Sequence, residues 1–174
     1  MDVPHVRLHD VDFDTNLSKG VFCLLGFPHR LSIPSTPDHI TINVTPFQFL
    51  TYAYDGETEN LSGYQQKYHL LLSAQEGGTD NDGKPIIFAD RNGAPLRFPK
   101  DLGGISGCSI WKISEYNKPL SAWKRYRPKI VAVQTSVFSN AYIIKGTRWV
   151  AVSTLLYQVF PDLRQALSLW HVEY

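Results

Sequence analysis

The chain has 174 residues, of which 43% are hydrophobic and 19% charged, and this composition predicts one globular domain with a substantial core. Seventeen basic and sixteen acidic side chains leave a formal charge of +1. That balance argues against the basic footprint of a protein that binds nucleic acid or an anionic membrane. No basic and then apolar leader follows Met1, and no apolar run approaches the roughly 20 residues that cross a bilayer. Two cysteines are too few for a disulfide framework, so we expect a cytoplasmic location.

Patterns typical of β-strands dominate the first hundred residues. Val21–Phe27 is a short apolar run closed by a proline, which favours a buried strand. Ile40–Tyr54 carries alternating apolar, threonine and aromatic residues, and Tyr68–Leu72 follows after a polar turn, so both segments predict antiparallel strands. Between Glu76 and Lys100 the composition shifts to Gly, Asp, Asn and Pro, which predicts loops around one short strand at Pro85–Phe88.

The last third of the chain changes from strand to helix periodicity. Ser109–Ile113 and Lys129–Ser136 read as strands. From Trp149 to Phe160 the apolar residues recur at helical spacing, a proline interrupts the pattern, and Leu163–Trp170 resumes it. The sequence therefore predicts a mostly β domain with one or more C-terminal helices.

One motif has the composition of a chemical site. The run Gly104-Ile-Ser-Gly107 lies between segments rich in apolar residues. Gly104 can bring its amide close to a reacting carbonyl, Ser106 supplies a hydroxyl and a second amide, and Gly107 leaves space because it has no Cβ. This combination indicates a nucleophile beside an oxyanion hole. A serine hydroxyl also needs a base, usually a histidine that a carboxylate orients.

Together with the strand that ends at Leu25–Pro28, the Ile130–Thr135 strand and the closing helix, this motif resembles the C-terminal half of a trypsin-like (chymotrypsin-fold) peptidase domain of the bacterial intracellular type. The resemblance implies an antiparallel β-barrel with a helical tail over residues 20–174. Residues 1–19 would be an N-terminal segment or a linker between barrels. It also implies that Ser106 is the nucleophile and that the amides of Gly104 and Ser106 form the oxyanion hole.

The resemblance extends to substrate contacts. It places Val133, Gln134 and Thr135 along the cleft beside the peptide backbone, and Lys100 at the wall of the primary specificity pocket. The chain departs from the family just after the serine, where Cys108 and Ser109 stand in place of a glycine and a proline.

The histidine and aspartate of the family are not visible in this sequence. In the family they precede the serine, on or next to an N-terminal barrel. About twenty residues precede the first matched strand here, too few for six strands of about five residues each. We therefore expect both groups to come from a missing N-terminal region, another fragment or a partner protein. Two functions follow: hydrolysis of peptide bonds by Ser106, or a non-catalytic module that binds a peptide or protein by strand addition.

Other candidate residues have less support. His69 lies in an apolar strand, which favours a packed core or cleft-wall histidine over a base. Cys108 invites a thiol-nucleophile interpretation, but the register fits Ser106 better. Asp10, Asp12 and Asp14 alternate with Val11 and Phe13, which favours an edge strand or a solvated face, and the sequence gives no means of choosing one of them as the orienting carboxylate.

No metal or cofactor is expected. Apart from His5 and His9, which lie four residues apart, the histidines and cysteines lack the paired spacing that places two ligands on one metal, and no glycine-rich loop ends in the Lys-Ser or Lys-Thr pair of a nucleotide cradle. The basic run Trp123–Arg127 favours a solvated loop over a nucleic-acid surface. The predicted partner is thus a peptide or protein substrate.

Overall fold

The computed structural model describes residues 11, 17–18, 20–26, 32–34, 42–44, 47–75, 78–79, 85–86, 92–95, 106–114 and 128–168. The strands in these ranges are β1 (Val21–Gly26), β2 (Ser32–Pro34), β3 (Ile42–Val44), β4 (Phe47–Tyr52), β5 (His69–Ser73), β6 (Gly78–Thr79), β7 (Pro85–Ile86), β8 (Ser109–Ser114), β9 (Lys129–Phe138) and β10 (Ile143–Arg148). Two α-helices follow, α1 (Trp149–Val159) and α2 (Arg164–Ser168).

Six of these strands form one antiparallel sheet in the order β4-β1-β8-β9-β10-β5. Strands β8, β9 and β10 follow one another as neighbours, and β5 lies beside β10 at the end of the series. Three consecutive strands with an earlier strand packed beside the last one form a Greek-key arrangement. The short strands pair separately, β2 with β3 and β6 with β7.

The sheet curls into a half-barrel, and its two outer strands meet at one corner. Directly after β4, Ala53 forms an antiparallel bridge with Leu72 of β5. Within β4, the buried hydroxyl of Thr51 donates a hydrogen bond to the carbonyl of Ser73. This contact gives a buried polar group a partner at the seam, as buried polar groups require.

Most of the core lies on one face of the sheet, where residues two apart along a strand point the same way. Phe22 and Leu24 of β1 are fully buried and face Phe49 of β4 and Ile110 of β8. The cluster contains Leu17, Phe22, Leu24, Phe49, Leu70, Leu72, Ala74, Ile110, Val131, Ala132 and Ile144.

Residues that precede β1 also pack on the sheet. Leu17 belongs to the core cluster, and Val11 forms a parallel bridge with Ile130 of β9. The part of the segment 1–19 that the structure describes is therefore in contact with the half-barrel.

The mostly β architecture and the C-terminal helix are confirmed. The segment expected as one pattern at 40–54 contains two strands, β3 and β4, and β9 extends two residues beyond its predicted end. Helix α1 ends just before Phe160 and Pro161, because proline has no amide to donate and disfavours helical geometry in the preceding residue. Strand β10 was not predicted. Across the described ranges, every helix is too short or too polar to span a lipid bilayer.

Candidate functional site

Ser106 lies on the surface, in a turn that leads directly into β8. We call Ser106 and Gly107 the serine turn; both residues are exposed. Gly107 has a φ of +93°, in the region that residues with a side chain rarely adopt. Among the described residues, no atom lies within 4 Å of the position that a Cβ on Gly107 would take, and the positive φ by itself requires glycine there.

Two backbone hydrogen bonds attach the serine turn to β9. The amide of Gly107 donates to the carbonyl of Gln134 at 2.8 Å, and the amide of Gln134 donates to the carbonyl of Cys108 at 2.9 Å. Two residues on one strand thus oppose a single residue on the other, and the first of the two is a glycine with positive φ. This is the pattern of a G1-type β-bulge, a device that redirects a strand and its side chains.

The structure therefore brings together two of the sequence-predicted elements, the serine turn and the Val133–Thr135 segment of β9. Val133 is half-buried and pairs with both Ser109 and Thr147. Gln134 is only 2% exposed, and its Oε1 has no hydrogen-bond partner in the part of the chain that the structure describes.

Thr135 is exposed and lies where the pairing between β9 and β10 shifts register. Its hydroxyl donates to the carbonyl of Lys145 at 3.3 Å. Of the three predicted substrate-contacting residues on β9, Thr135 alone presents an exposed side chain.

Part of the backbone of β9 has hydrogen-bonding groups that face the serine turn. The amide of Arg148 donates to the carbonyl of Tyr68, the residue before β5, so the even-numbered residues of β10 bond toward β5. Bonding direction alternates along an antiparallel strand, so the odd-numbered residues of β10 bond to β9. Their β9 partners include Ser136 and Phe138. Val137 lies between these two, and its amide and carbonyl point to the other side of β9. The serine turn lies on that same side.

Cys108, two residues after Ser106, is a poor nucleophile. Its side chain is half-buried and packs against the core cluster. Burial, with a smaller contribution from Cys23, raises the pKa of the Cys108 thiol to about 11. The reactive form of cysteine is the thiolate, so Cys108 stays protonated and unreactive near neutral pH. Between these two residues, the geometry favours Ser106.

His69 is not placed to activate Ser106. It is half-buried at the start of β5, and its neighbours across successive strands are Thr147, Val133 and Ser109. Three strand spacings of about 4.8 Å separate the backbones of His69 and Ser109 by about 14 Å along the sheet. An imidazole and a serine hydroxyl cannot form a hydrogen bond over that separation.

Gly104 and Lys100 lie outside the described residues, as do the five other histidines and the acids Asp10, Asp12 and Asp14. Within the described ranges, no group of three His, Cys, Asp or Glu side chains is arranged to hold a metal ion.

Comparisons with protein-family models, with curated proteins and with solved structures found no match for this chain.

The sequence did not single out Gly146 or Lys145, two residues of β10 that pair with β9 close to the serine turn. The available signal was weak: Gly146 follows the two β-branched residues Ile143 and Ile144, and an isolated glycine in a strand often marks a close approach of another group. The side chain of Ile110 occupies the space that a Cβ on Gly146 would need.

Proposed function

We propose that the chain is a serine-peptidase-type domain in which Ser106 attacks the carbonyl of a peptide bond. The observation that carries the proposal is the serine turn: an exposed hydroxyl is held before a positive-φ glycine whose amide is bonded to β9. A nucleophile needs this exposure, and the hydrogen bonds of Gly107 and Cys108 to Gln134 hold the turn that carries the hydroxyl against β9.

The fold supports the same proposal. Each barrel of the resembled peptidases has six antiparallel strands, and the curled sheet of this chain has six in a Greek-key order. A substrate strand laid along β9 would meet the Val137 amide and carbonyl on the side of the serine turn. The buried Cys23 and half-buried Cys108 are free thiols, which fits a reducing compartment such as the cytoplasm.

The proposed reaction needs a histidine and an aspartate from outside the described residues, and it also uses the amide of Gly104, which lies outside them as well. A histidine takes the proton of the Ser106 hydroxyl as the oxygen bonds to the peptide carbonyl carbon, and an aspartate orients that histidine. The amides of Gly104 and Ser106 then stabilise the negative charge on the carbonyl oxygen. The histidine next gives its proton to the leaving amine, and water releases the acyl group from Ser106.

A fluorophosphonate probe tests the proposal, because it bonds covalently to an activated serine. The protein is treated alone and together with an N-terminal region or a candidate partner that carries histidine and aspartate. We expect labelling of the wild type that is lost in Ser106→Ala. The variant Ser139→Ala is the matched control, since Ser139 is also an exposed serine close to β9, and it should be labelled like the wild type.

A second candidate is a non-catalytic module that holds a peptide by strand addition. The position of His69 favours this binding module. Of the six histidines in the chain, the structure describes His69, and its backbone lies about 14 Å from that of Ser109, too far for it to activate Ser106. In that case peptides should bind equally well to the wild type and to Ser106→Ala, without labelling or hydrolysis. Absence of labelling in every combination with an N-terminal region would remove the peptidase proposal and leave the binding module.

A further inference from the structure

A group of aromatic and cationic side chains lies on β5, β10 and the loop before β5; its strand residues alternate with Leu70, Leu72 and Ile144 of the core cluster. We call Tyr64, His69 and Lys145 the Tyr64 cluster. The rings of Tyr64 and His69 are 6.1 Å apart between centroids and tilted by 35°. Lys145 reaches the same loop, since its Nζ donates to the carbonyl of Gly63 at 3.4 Å.

The register of the two strands places Lys145 and His69 next to each other. His69 pairs with Thr147 and Lys145 pairs with Leu71, so the two side chains are diagonal neighbours on one face. Diagonal neighbours in an antiparallel pair have their Cβ atoms about 7 Å apart. Both side chains can therefore contact a single small ligand between them.

The turn before β5 fixes the imidazole. The backbone amide of Gln65 donates to Nδ1 of His69 at 2.9 Å, and the His69 amide donates to the Gln65 carbonyl at 2.9 Å. Because Nδ1 accepts a hydrogen bond, the neutral ring carries its proton on Nε2. Nε2–H is thus a donor aimed away from the turn.

Lys145 keeps donors for a ligand as well. An ammonium group has three N–H donors, and the long bond to Gly63 uses one of them. The ammonium also lies 5.6 Å from the centroid of the Phe138 ring. Since Lys145 is half-buried, water shields its charge less than it would on an open surface.

The electrostatics of the cluster are positive. Burial lowers the pKa of His69, and the charge of Lys145 lowers it further. Burial raises the pKa of Tyr64, and the charge of Arg148 opposes that rise. The charge of Lys145 acts on His69 and that of Arg148 acts on Tyr64, and a positive charge beside a site favours a bound anion.

We infer that the Tyr64 cluster binds a small oxyanion, a phosphate or carboxylate group, between Nζ of Lys145 and Nε2 of His69. This inference does not depend on the function proposed for Ser106, so either can fail while the other stands.

Sulfate is a suitable probe, because it is an oxyanion whose charge stays constant between pH 5 and pH 8. The full chain is titrated by NMR at constant ionic strength, with sulfate replacing chloride, and the His69 imidazole signal is assigned by its loss in His69→Gln. An anion close to the ring favours the imidazolium, so we expect sulfate to raise the pKa of His69 by about one pH unit. By linkage, sulfate should then bind about tenfold more tightly to the protonated protein.

Variants separate the site from general charge effects. Lys145→Gln should abolish the response to sulfate, and Lys145→Arg should keep it because the cation remains. Lys129→Gln removes the same charge about 23 Å away along β9 and should respond like the wild type. A second titration with acetate in place of sulfate identifies the class of anion. A response to sulfate alone assigns the site to phosphate-like groups, and a response to both anions extends it to carboxylates. An unchanged pKa of His69 in both anions, or an undiminished response in Lys145→Gln, would overturn the inference.

Discussion

Gly146 is the position where a single added carbon should disturb the core most clearly. It is buried in β10, where it pairs with Gln134 on one side and Leu70 on the other. A Cβ there would lie 2.5 Å from Cδ1 of Ile110 and 3.2 Å from Cβ of Ala132. It would also lie 3.3 Å from the carbonyl oxygen of the residue after Ala132. We therefore predict that Gly146→Ala destabilises the protein.

Two effects of opposite sign set the size of this loss. Overpacking a core typically costs about 1–3 kcal/mol. Replacing glycine by alanine restricts the unfolded chain and returns about 0.4–1 kcal/mol where the backbone geometry is compatible. Packing should win, because Ile110 and Ala132 are fully buried and have little room to move. The net loss should be about 1–2 kcal/mol, or a melting temperature lower by about 2–8 °C for a chain of this size.

Urea denaturation of a double-mutant cycle measures this directly. Ile110→Val removes the closest atom and alone should cost about 0.5–1.5 kcal/mol. Combined with Gly146→Ala, it should make room for the new methyl group. The double variant should then lose about 1 kcal/mol less free energy of unfolding than the two single variants lose together. Ile143→Val is the control, because Ile143 is equally buried but is not among the contacts of Gly146. Additive behaviour with Ile110→Val, or a Gly146→Ala variant as stable as the wild type, would refute the argument.

Two further predictions concern the surroundings of Ser106. Gly107→Ala should lower the free energy of unfolding by about 1–2 kcal/mol, since φ of +93° strains a residue with a Cβ although the space is open. Urea denaturation checks this, and unchanged stability would show that the turn accepts another conformation. Cys108 should react slowly with iodoacetamide, because its pKa near 11 leaves about 1% of the thiolate that a pKa of 9 would give at pH 8. Its rate should rise about tenfold per pH unit up to pH 10 as the thiolate forms, and rapid alkylation at pH 7 would contradict the burial of the thiol.

The strands that could be predicted from the sequence are those whose own residues show a continuous apolar run or an alternation of apolar and polar residues. Val21–Gly26 is buried along almost its whole length, and Ser109–Ser114 alternates, so local pattern identified both. Ile143–Arg148 contains a glycine and two cations and has no such pattern. It is a strand because β5 and β9 lie on either side of it and supply hydrogen-bond partners, which local propensity does not reveal.

The candidate site divides in the same way. The glycine-flanked serine was visible from residue types alone, because positive φ and close backbone approach favour glycine. Its attachment to Gln134 was not visible, since that contact joins residues 27 positions apart. The positions of the histidines relative to the serine depend equally on the order of strands in the sheet.

Residue patterns along the chain were enough to predict the mostly β class, the closing helix and the exposed serine turn, because each depends on interactions between near neighbours in the chain. Tertiary structure alone decided which strands pair, that His69 lies three strands from Ser109, and that Tyr64, His69 and Lys145 share one face. The physical reason is that burial of apolar surface has no direction of its own. Many strand orders would bury the same residues, and only the packed sheet selects one of them.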